Sequence, residues 1–407
     1  MKILHVNFSD SYGGAAIAVM RIHKLLLKNE IDSNLLVSDQ MSNEPKTFSI
    51  NKTSEKLKNI IKGSISRNLG FFFKSKNKIT HSINLLPSNL LSEINKFNAD
   101  VVNLHWIGNE TISISQINKI KSKIVWTLHD MWAFCGAEHY TDNRRFIDGY
   151  KVSNKPTYET GFDINRYVWK KKTKCFKNIE KIIVTSNWMK KTVKKSFLFK
   201  NKKINEIPLP IDIDNWCYSK NNKYEKKILK INQDKKIIAF GSDNYLKNER
   251  KGLKFYLNLV ERLSKNKFQF IIFGEDNHEE LKFHLKKRNI KKEILNMGKF
   301  KDELSLKIFY SSIDLLILPS MKESFGLIAQ EGSVMGVPSV VFNNTGLTSV
   351  IDHKKNGYLS KFNSNTEIYT GTKWCLKNLK RYKVSEYSKK KFNENKILNN
   401  YLKFLKD

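Results

Sequence analysis

Two carboxylates, Glu323 and Glu331, bracket the segment Ser324–Gln330 in LPSMKESFGLIAQEGSVMGVPSVVFNNTG (318–346). The apolar run DLLILPS (314–320) precedes them, and a helical pattern, FGLIAQEGSVMG (325–336), begins near Phe325. The order strand, loop, helix puts Glu323 in the loop and Glu331 about two turns into the helix. The N–H groups of Ser324, Phe325, Gly326 and Leu327 are then donors of a helix start, an anion site reinforced by the helix dipole. Gly326 lets a ligand approach the backbone closely. A carboxylate further along, such as Glu331, can accept two hydrogen bonds from a vicinal diol like that of a ribose.

Three further places carry chemistry. Arg250 and Lys251 precede Gly252 in GSDNYLKNERKGLKFYL (241–257), beside another expected helix start. Two cations there suit a diphosphate, especially a leaving group that gains charge as its bond breaks. On local grounds the pair is equally a solvated basic turn. SYGGAA (11–16) joins the first strand to the first helix; Gly13 and Gly14 permit a tight turn and close contact with a phosphate or sugar, as well as a plain turn. His129 and Asp130 close the strand IVWTLHD (124–130), and His105 stands in LHW. A histidine at a strand end is either structural or a ligand-orienting group; Asp130 reads equally as a capping carboxylate.

The elements that must position these residues occur in two series. KILHVNF (2–8), NLLVSD (34–39), DVVNLHWI (100–107), IVWTLHD (124–130), KIIVTSN (181–187) and INEIPLP (204–210) read as strands, with AAIAVMRIHKLLLKN (15–29) as a helix after the first. A second series follows: KKIIAFGS (235–242), FQFIIFGE (268–275), LNMGKF (295–300), DLLILPS (314–320) and PSVVFN (338–343), with helical patterns between. This alternation predicts an α/β chain with two parallel sheets. The expected divisions are an amino-terminal domain over 1–210, a polar linker over 211–234, a second domain over 235–383 and a terminal helix over 384–407. Ligands of open parallel sheets bind beyond the carboxyl ends of the strands, so two such domains suggest an enzyme with two substrates.

The 407-residue length suits two domains, and 40% hydrophobic content excludes wholesale disorder. The formal charge is +34, which raises nucleic acid as a partner. Only nine of the 73 basic residues are Arg, whereas base-reading and phosphate-forking surfaces favour its planar fork. No specific nucleic-acid partner is expected. The four Cys (135, 175, 217 and 375) lie far apart without zinc-site spacing, and no Asp-x-Asp pair ends a strand, so no metal is expected. No apolar run reaches the length of a spanning helix, and the amino terminus does not read as a signal peptide. A cytoplasmic protein is expected. The basic, partly amphipathic stretch 52–78 is either a helix packed near an acceptor entrance or a segment lying on an anionic membrane surface.

ESFGLIAQE (323–331) resembles the paired-glutamate motif of family 4 glycosyltransferases, retaining enzymes of the GT-B fold. YGGAAIAVMRIHKLL (12–26), VVNLHWIG (101–108), VWTLHDMWAF (125–134), DINRYVWKKK (163–172) and IIVTSNWM (182–189) resemble the branch associated with bacterial exopolysaccharide, capsule and O-antigen assembly, the colanic-acid type. The resemblance implies two Rossmann-like domains facing across a cleft, with the terminal helix crossing back to the first. It implies transfer of a sugar from a UDP- or GDP-linked donor, without cofactor or metal, to a glycan or polyprenyl-diphosphate-linked sugar. By resemblance Glu331 binds the donor ribose. Glu323, with the amides of Phe325, Gly326 and Leu327, engages sugar and phosphates. Lys251, with Arg250, holds the diphosphate, Gly13 and Gly14 face it, and His129 contacts the sugar near the reacting carbon. The family's frequent Arg or Lys after the Gly that ends the strand is replaced by Ser242 and Asp243. Competing readings are a nucleotide-sugar epimerase of the same fold and a nonenzymatic binder of anionic polymers.

Overall fold

The computed structural model describes residues 1–50, 73–77, 79–218 and 222–407. Most of the basic stretch at 52–78 lies outside the described residues. The chain divides into two compact units, Met1–Pro210 with Asn395–Asp407, and Ile211–Glu394.

The first unit is built on a seven-stranded parallel sheet. Its strands are β1 (Lys2–Ser9), β2 (Asp32–Asp39), β3 (Thr47–Ser49), β5 (Val101–Leu104), β6 (Lys123–Leu128), β8 (Lys181–Val184) and β9 (Lys203–Glu206), in the order β3-β2-β1-β5-β6-β8-β9. A separate antiparallel pair joins β4 (Phe73–Ser75) to β7 (Glu159–Gly161). Ile3, Leu4, Val6, Val102, Leu104, Trp126 and Ile182 are all buried, as strands covered on both faces require. The strand order reverses between β1 and β5. The loops leaving β1, β5 and β6 therefore flank the place where an open α/β sheet takes its ligands.

The second unit carries a six-stranded parallel sheet of β10 (Lys236–Gly241), β11 (Phe268–Phe273), β12 (Ile294–Asn296), β13 (Leu315–Leu318), β14 (Ser339–Phe342) and β15 (Gly357–Ser360). Its order is β12-β11-β10-β13-β14-β15, with the reversal between β10 and β13. Arg250 and Lys251 follow β10 and Glu323 follows β13, so the switch point of this sheet gathers the charged motif.

Two expectations about the chain's organisation need correcting. The stretch 211–234 is not a featureless linker: Ile211, Trp216 and Ile231 are buried, and a short helix forms at Lys223–Ile228. It belongs to the second unit, where the Trp216 ring lies 6.1 Å from that of Tyr310. Its apolar residues are too widely spaced to show a period. The tail is two helices, Arg381–Lys391 and Glu394–Lys406, rather than one. Phe392 is buried in the second unit, near the Phe325 ring, while Ile397, Leu398, Tyr401, Phe404 and Leu405 bury themselves in the first. The two apolar sets serve different cores, and the helix breaks between them.

Candidate active site

Glu323 sits in the loop between β13 and the helix Leu327–Val334, and main-chain bonds fix that loop. The Glu323 carbonyl accepts from Gly346 N–H at 2.7 Å, and the Arg250 carbonyl accepts from Met321 N–H at 2.7 Å. Arg250 Nη1 donates to the Lys322 carbonyl at 2.7 Å. Gly252 caps the following helix, Leu253–Arg262, with φ 79°, and a Cβ there would stand 2.1 Å from the Pro319 carbonyl oxygen. Only glycine lets the two loops meet this closely.

The result is a compact charged cluster. Lys251 Nζ lies 2.7 Å from Glu323 Oε2, and Arg250 Nη1 lies 3.9 Å from the same oxygen. Burial by itself would raise the Glu323 carboxyl; Lys251 and Arg250 together hold it below its ordinary value. Burial lowers Lys251, and the charge of Glu323 opposes that. Two cations and one carboxylate at a helix start can bind a diphosphate and keep the carboxylate ionised to accept hydrogen bonds from sugar hydroxyls.

The helix begins at Leu327, with Gly326 (φ 109°) as its cap, rather than near Phe325. Its ladder opens with Gln330 N–H to the Gly326 carbonyl, so the helix-start donors are the amides of Leu327, Ile328 and Ala329. Glu331 accordingly lies one turn in, not two. It is buried, and Tyr310 donates its hydroxyl proton to Oε2 at 2.9 Å. Phe325 is buried as a core ring, and Ser324 is likewise shielded. Ser242 is buried after β10, and Asp243 is met by Lys299 Nζ at 3.3 Å.

On the first unit, Gly13 precedes the helix Gly14–Lys28 with φ 85° and ψ 166°, a conformation open in practice only to glycine. Among the described residues a Cβ at Gly13 would meet nothing within 4 Å, so the turn has room for a ligand. His129 follows β6, and its Nε2 lies 3.0 Å from His105 Nδ1. Burial lowers His129 to about 4, the charge of Asp130 opposing, so the ring is neutral near pH 7. Asp130 accepts from His139 Nδ1 at 2.6 Å, Trp106 Nε1 at 2.8 Å and Trp132 N–H at 2.9 Å. Buried Lys172 supports the next turn through the carbonyls of Trp132, Cys135 and Gly136.

The family model described as Glycosyltransferase Family 4 matches residues 12–215, and that described as Glycosyl transferases group 1 matches residues 221–391. The chain belongs to glycosyltransferase family 4. An uncharacterized 41.2 kDa protein in the cps region of Klebsiella pneumoniae is 25% identical over 418 aligned residues, covering 100% of this chain and 99% of the relative. Among solved structures, Anabaena HepE in complex with UDP and glucose superposes with a TM-score of 0.67 at 13% identity, covering 100% of this chain and 99% of that one. WaaG, a glycosyltransferase involved in lipopolysaccharide biosynthesis, superposes with a TM-score of 0.62 at 11% identity, covering 96% and 94%. These neighbours establish the fold of the glycosyltransferase as GT-B, with two Rossmann-like α/β units.

Within the second unit of this glycosyltransferase, Glu323, Arg250 and Lys251 meet in one cluster, and Glu331 follows on the adjoining helix. Within the first, Gly13, Gly14 and His129 occupy carboxyl ends of β1 and β6. Asp130 is a structural acceptor held by three donors, more than the cap expected of it. Tyr310, Lys172, His5 and His139 escaped the sequence reading. Tyr310 and Lys172 lie in helical patterns where a buried polar tip leaves no periodic signal. His5 interrupts the apolar strand KILHVNF, which was the one visible hint.

Proposed function

We propose that this glycosyltransferase moves a sugar, with retention of anomeric configuration, from a UDP- or GDP-linked donor to a glycan acceptor in bacterial surface-polysaccharide synthesis. The observation that carries the reading is the Glu323–Lys251–Arg250 cluster at the β10/β13 switch point, together with the family membership. Lys251, Arg250 and the amides of Leu327 to Ala329 take the diphosphate, and Glu331 takes the ribose diol. The relative in the Klebsiella cps region and the fold shared with WaaG support the polysaccharide setting. A sugar linked to polyprenyl diphosphate is the proposed acceptor, used at the cytoplasmic face of a membrane. Among the described residues no helix is long and apolar enough to cross one.

As the bond between the anomeric carbon and the diphosphate oxygen breaks, negative charge grows on the leaving phosphate, where Lys251 and Arg250 stabilise it. The acceptor oxygen attacks the same face of the sugar and gives its proton to that phosphate. Glu323, paired with Lys251, is a hydrogen-bond acceptor for the sugar rather than a nucleophile. The two cations do the work of charge neutralisation without a metal ion. The test is incubation of the chain with a polyprenyl-diphosphate-linked sugar and a panel of donors, with product configuration read by NMR and the protein by mass spectrometry. A retained configuration and unmodified protein are expected, with activity surviving EDTA. An inverted product, or a sugar adduct on Glu323, would overturn the mechanism.

A further inference from the structure

Three imidazoles of the first unit stand in one hydrogen-bonded file. His129 Nε2 lies 3.0 Å from His105 Nδ1, and His105 Nε2 lies 3.0 Å from His5 Nδ1. The planes of His105 and His129 differ by 20°. The strand pairing builds the file: His5 is on β1, His105 follows the adjacent β5, and His129 follows β6 next to that. The file ends at His5 Nε2, which is buried without a hydrogen-bond partner among the described residues.

A neutral imidazole has one N–H and one lone pair. Each contact in the file needs one of each, so neutral rings allow two arrangements, each with a single direction along the whole file. In the inward one, His129 donates from Nε2, and the file finishes in a buried N–H at His5 with no acceptor. In the outward one, His5 donates from Nδ1 to His105, and His105 donates from Nδ1 to His129. The unpartnered atom is then a bare lone pair at His5 Nε2, and His129 carries its proton on Nδ1. In protein backbones an orphaned buried N–H is rarer than an under-satisfied acceptor, and the same preference favours the outward arrangement. A file closed at His5 has no proton sink, so it orients and does not conduct.

We propose that His5 and His105 are positioning residues that fix His129 as its Nδ1–H tautomer, so that the end of β6 presents a permanent hydrogen-bond donor to a ligand oxygen at the carboxyl end of the first unit's sheet. The identity of that oxygen rests on the glycosyltransferase reading above; the tautomer does not. Groups facing the file are His23, whose ring centroid is 6.3 Å from that of His5 and whose nitrogens meet Ser33 Oγ and the Pro45 carbonyl, and Tyr401 of the terminal helix at 6.5 Å. Asp130 and its partner His139 lie beside His129. Burial lowers His5 to about 3, His129 to about 4 and His105 well below its ordinary value, so the file stays neutral near pH 7.

The experiment is long-range proton–nitrogen NMR on the full chain labelled with ¹⁵N-histidine, without ligand, between pH 6 and 8. His129→Asn identifies the signals by their loss. The expected result is a protonated, pyrrole-type Nδ1 and a pyridine-type Nε2 on His129, unchanged across the range. In His5→Phe and His105→Phe the two nitrogens of His129 should move toward averaged shifts. With donor and acceptor, His5→Phe should lower kcat about two- to ten-fold, by the fraction of the donor tautomer lost, with donor KM held within about two-fold. A pyridine-type Nδ1 in the unsubstituted protein overturns the inference even if neither variant folds. So does an unshifted tautomer in folded variants, or a kcat indifferent to it. The fixed tautomer in a protein that turns over no nucleotide sugar would instead sustain the inference and sink the functional reading.

Discussion

At the scale of single residues, Lys251 and Glu323 do most to define the site. Each is shielded and each has the other as its charge partner, at 2.7 Å. Replacing Lys251 by Met leaves Arg250 as the cation beside the carboxylate and removes one from the proposed diphosphate site. Steady-state kinetics should show kcat/KM reduced about 100- to 1,000-fold, the loss typical of one aligned electrostatic group. The buried histidines make a different prediction. Burial sets His5 at about 3 and His81 and His129 at about 4, all below the unfolded value near 6.5. Below about pH 6.5 the unfolded chain therefore binds protons that the folded chain does not. Stability from these groups is full above that pH and is lost as pH falls toward 4 and 3. For His5 alone the loss between pH 7 and pH 5 is about 2 kcal/mol. Urea midpoints at pH 7, 6 and 5 should fall in step; equal midpoints would contradict the burial of neutral rings.

At the scale of elements, two glycines separate backbone strain from close packing. Gly13→Ala places a side chain at φ 85° with no neighbour within 4 Å among the described residues, a cost of about 1–3 kcal/mol from conformation alone. Gly252→Ala adds to its left-handed φ a collision with the Pro319 carbonyl, and should cost more and separate Glu323 from Lys251. Denaturant titration of both variants checks the order. The strands carrying the second unit's loops were legible in the sequence because buried parallel strands are continuous apolar runs, as IIAF (237–240) and LLIL (315–318) are. The paired-glutamate loop was legible because its spacing is dictated by a strand end and a helix start. The true start at Leu327 was less so: Phe325 looks like the first apolar helical residue, but it fills the core ahead of a glycine cap. β3 (TFS), β15 (GYLS) and the β4–β7 pair (FKS with ETG) were missed because they lack the continuous apolar run that made a strand as short as β13 visible. The histidine file was illegible because it depends on which strands become neighbours.

At the scale of the whole molecule, the last helix does not belong with the residues that precede it. Ile397, Leu398, Tyr401, Phe404 and Leu405 bury against the first unit, and Tyr401 Oη accepts from Asn103 Nδ2 at 2.6 Å. Burial contributes about 1.5–3 kcal/mol for each large apolar side chain. Deleting residues 395–407 should therefore lower the melting temperature of the first unit by many degrees and leave the second unit's transition nearly in place; calorimetry resolves the two. The +34 charge becomes more specific in the same frame. Arg250 and Lys251 meet Glu323, and Lys172 has a structural post, while most other lysines among the described residues are solvated surface. The proposed function requires the second unit to hold a nucleotide sugar between the Glu323 cluster and Glu331. The most direct measurement is thermal stabilisation by UDP-, GDP- and ADP-sugars. One nucleotide class, at about 100 times its dissociation constant, should stabilise the protein by about 2.7 kcal/mol, and Glu331→Ala should erase that shift. No stabilisation by any nucleotide sugar, or a full shift retained in Glu331→Ala, would contradict the claim.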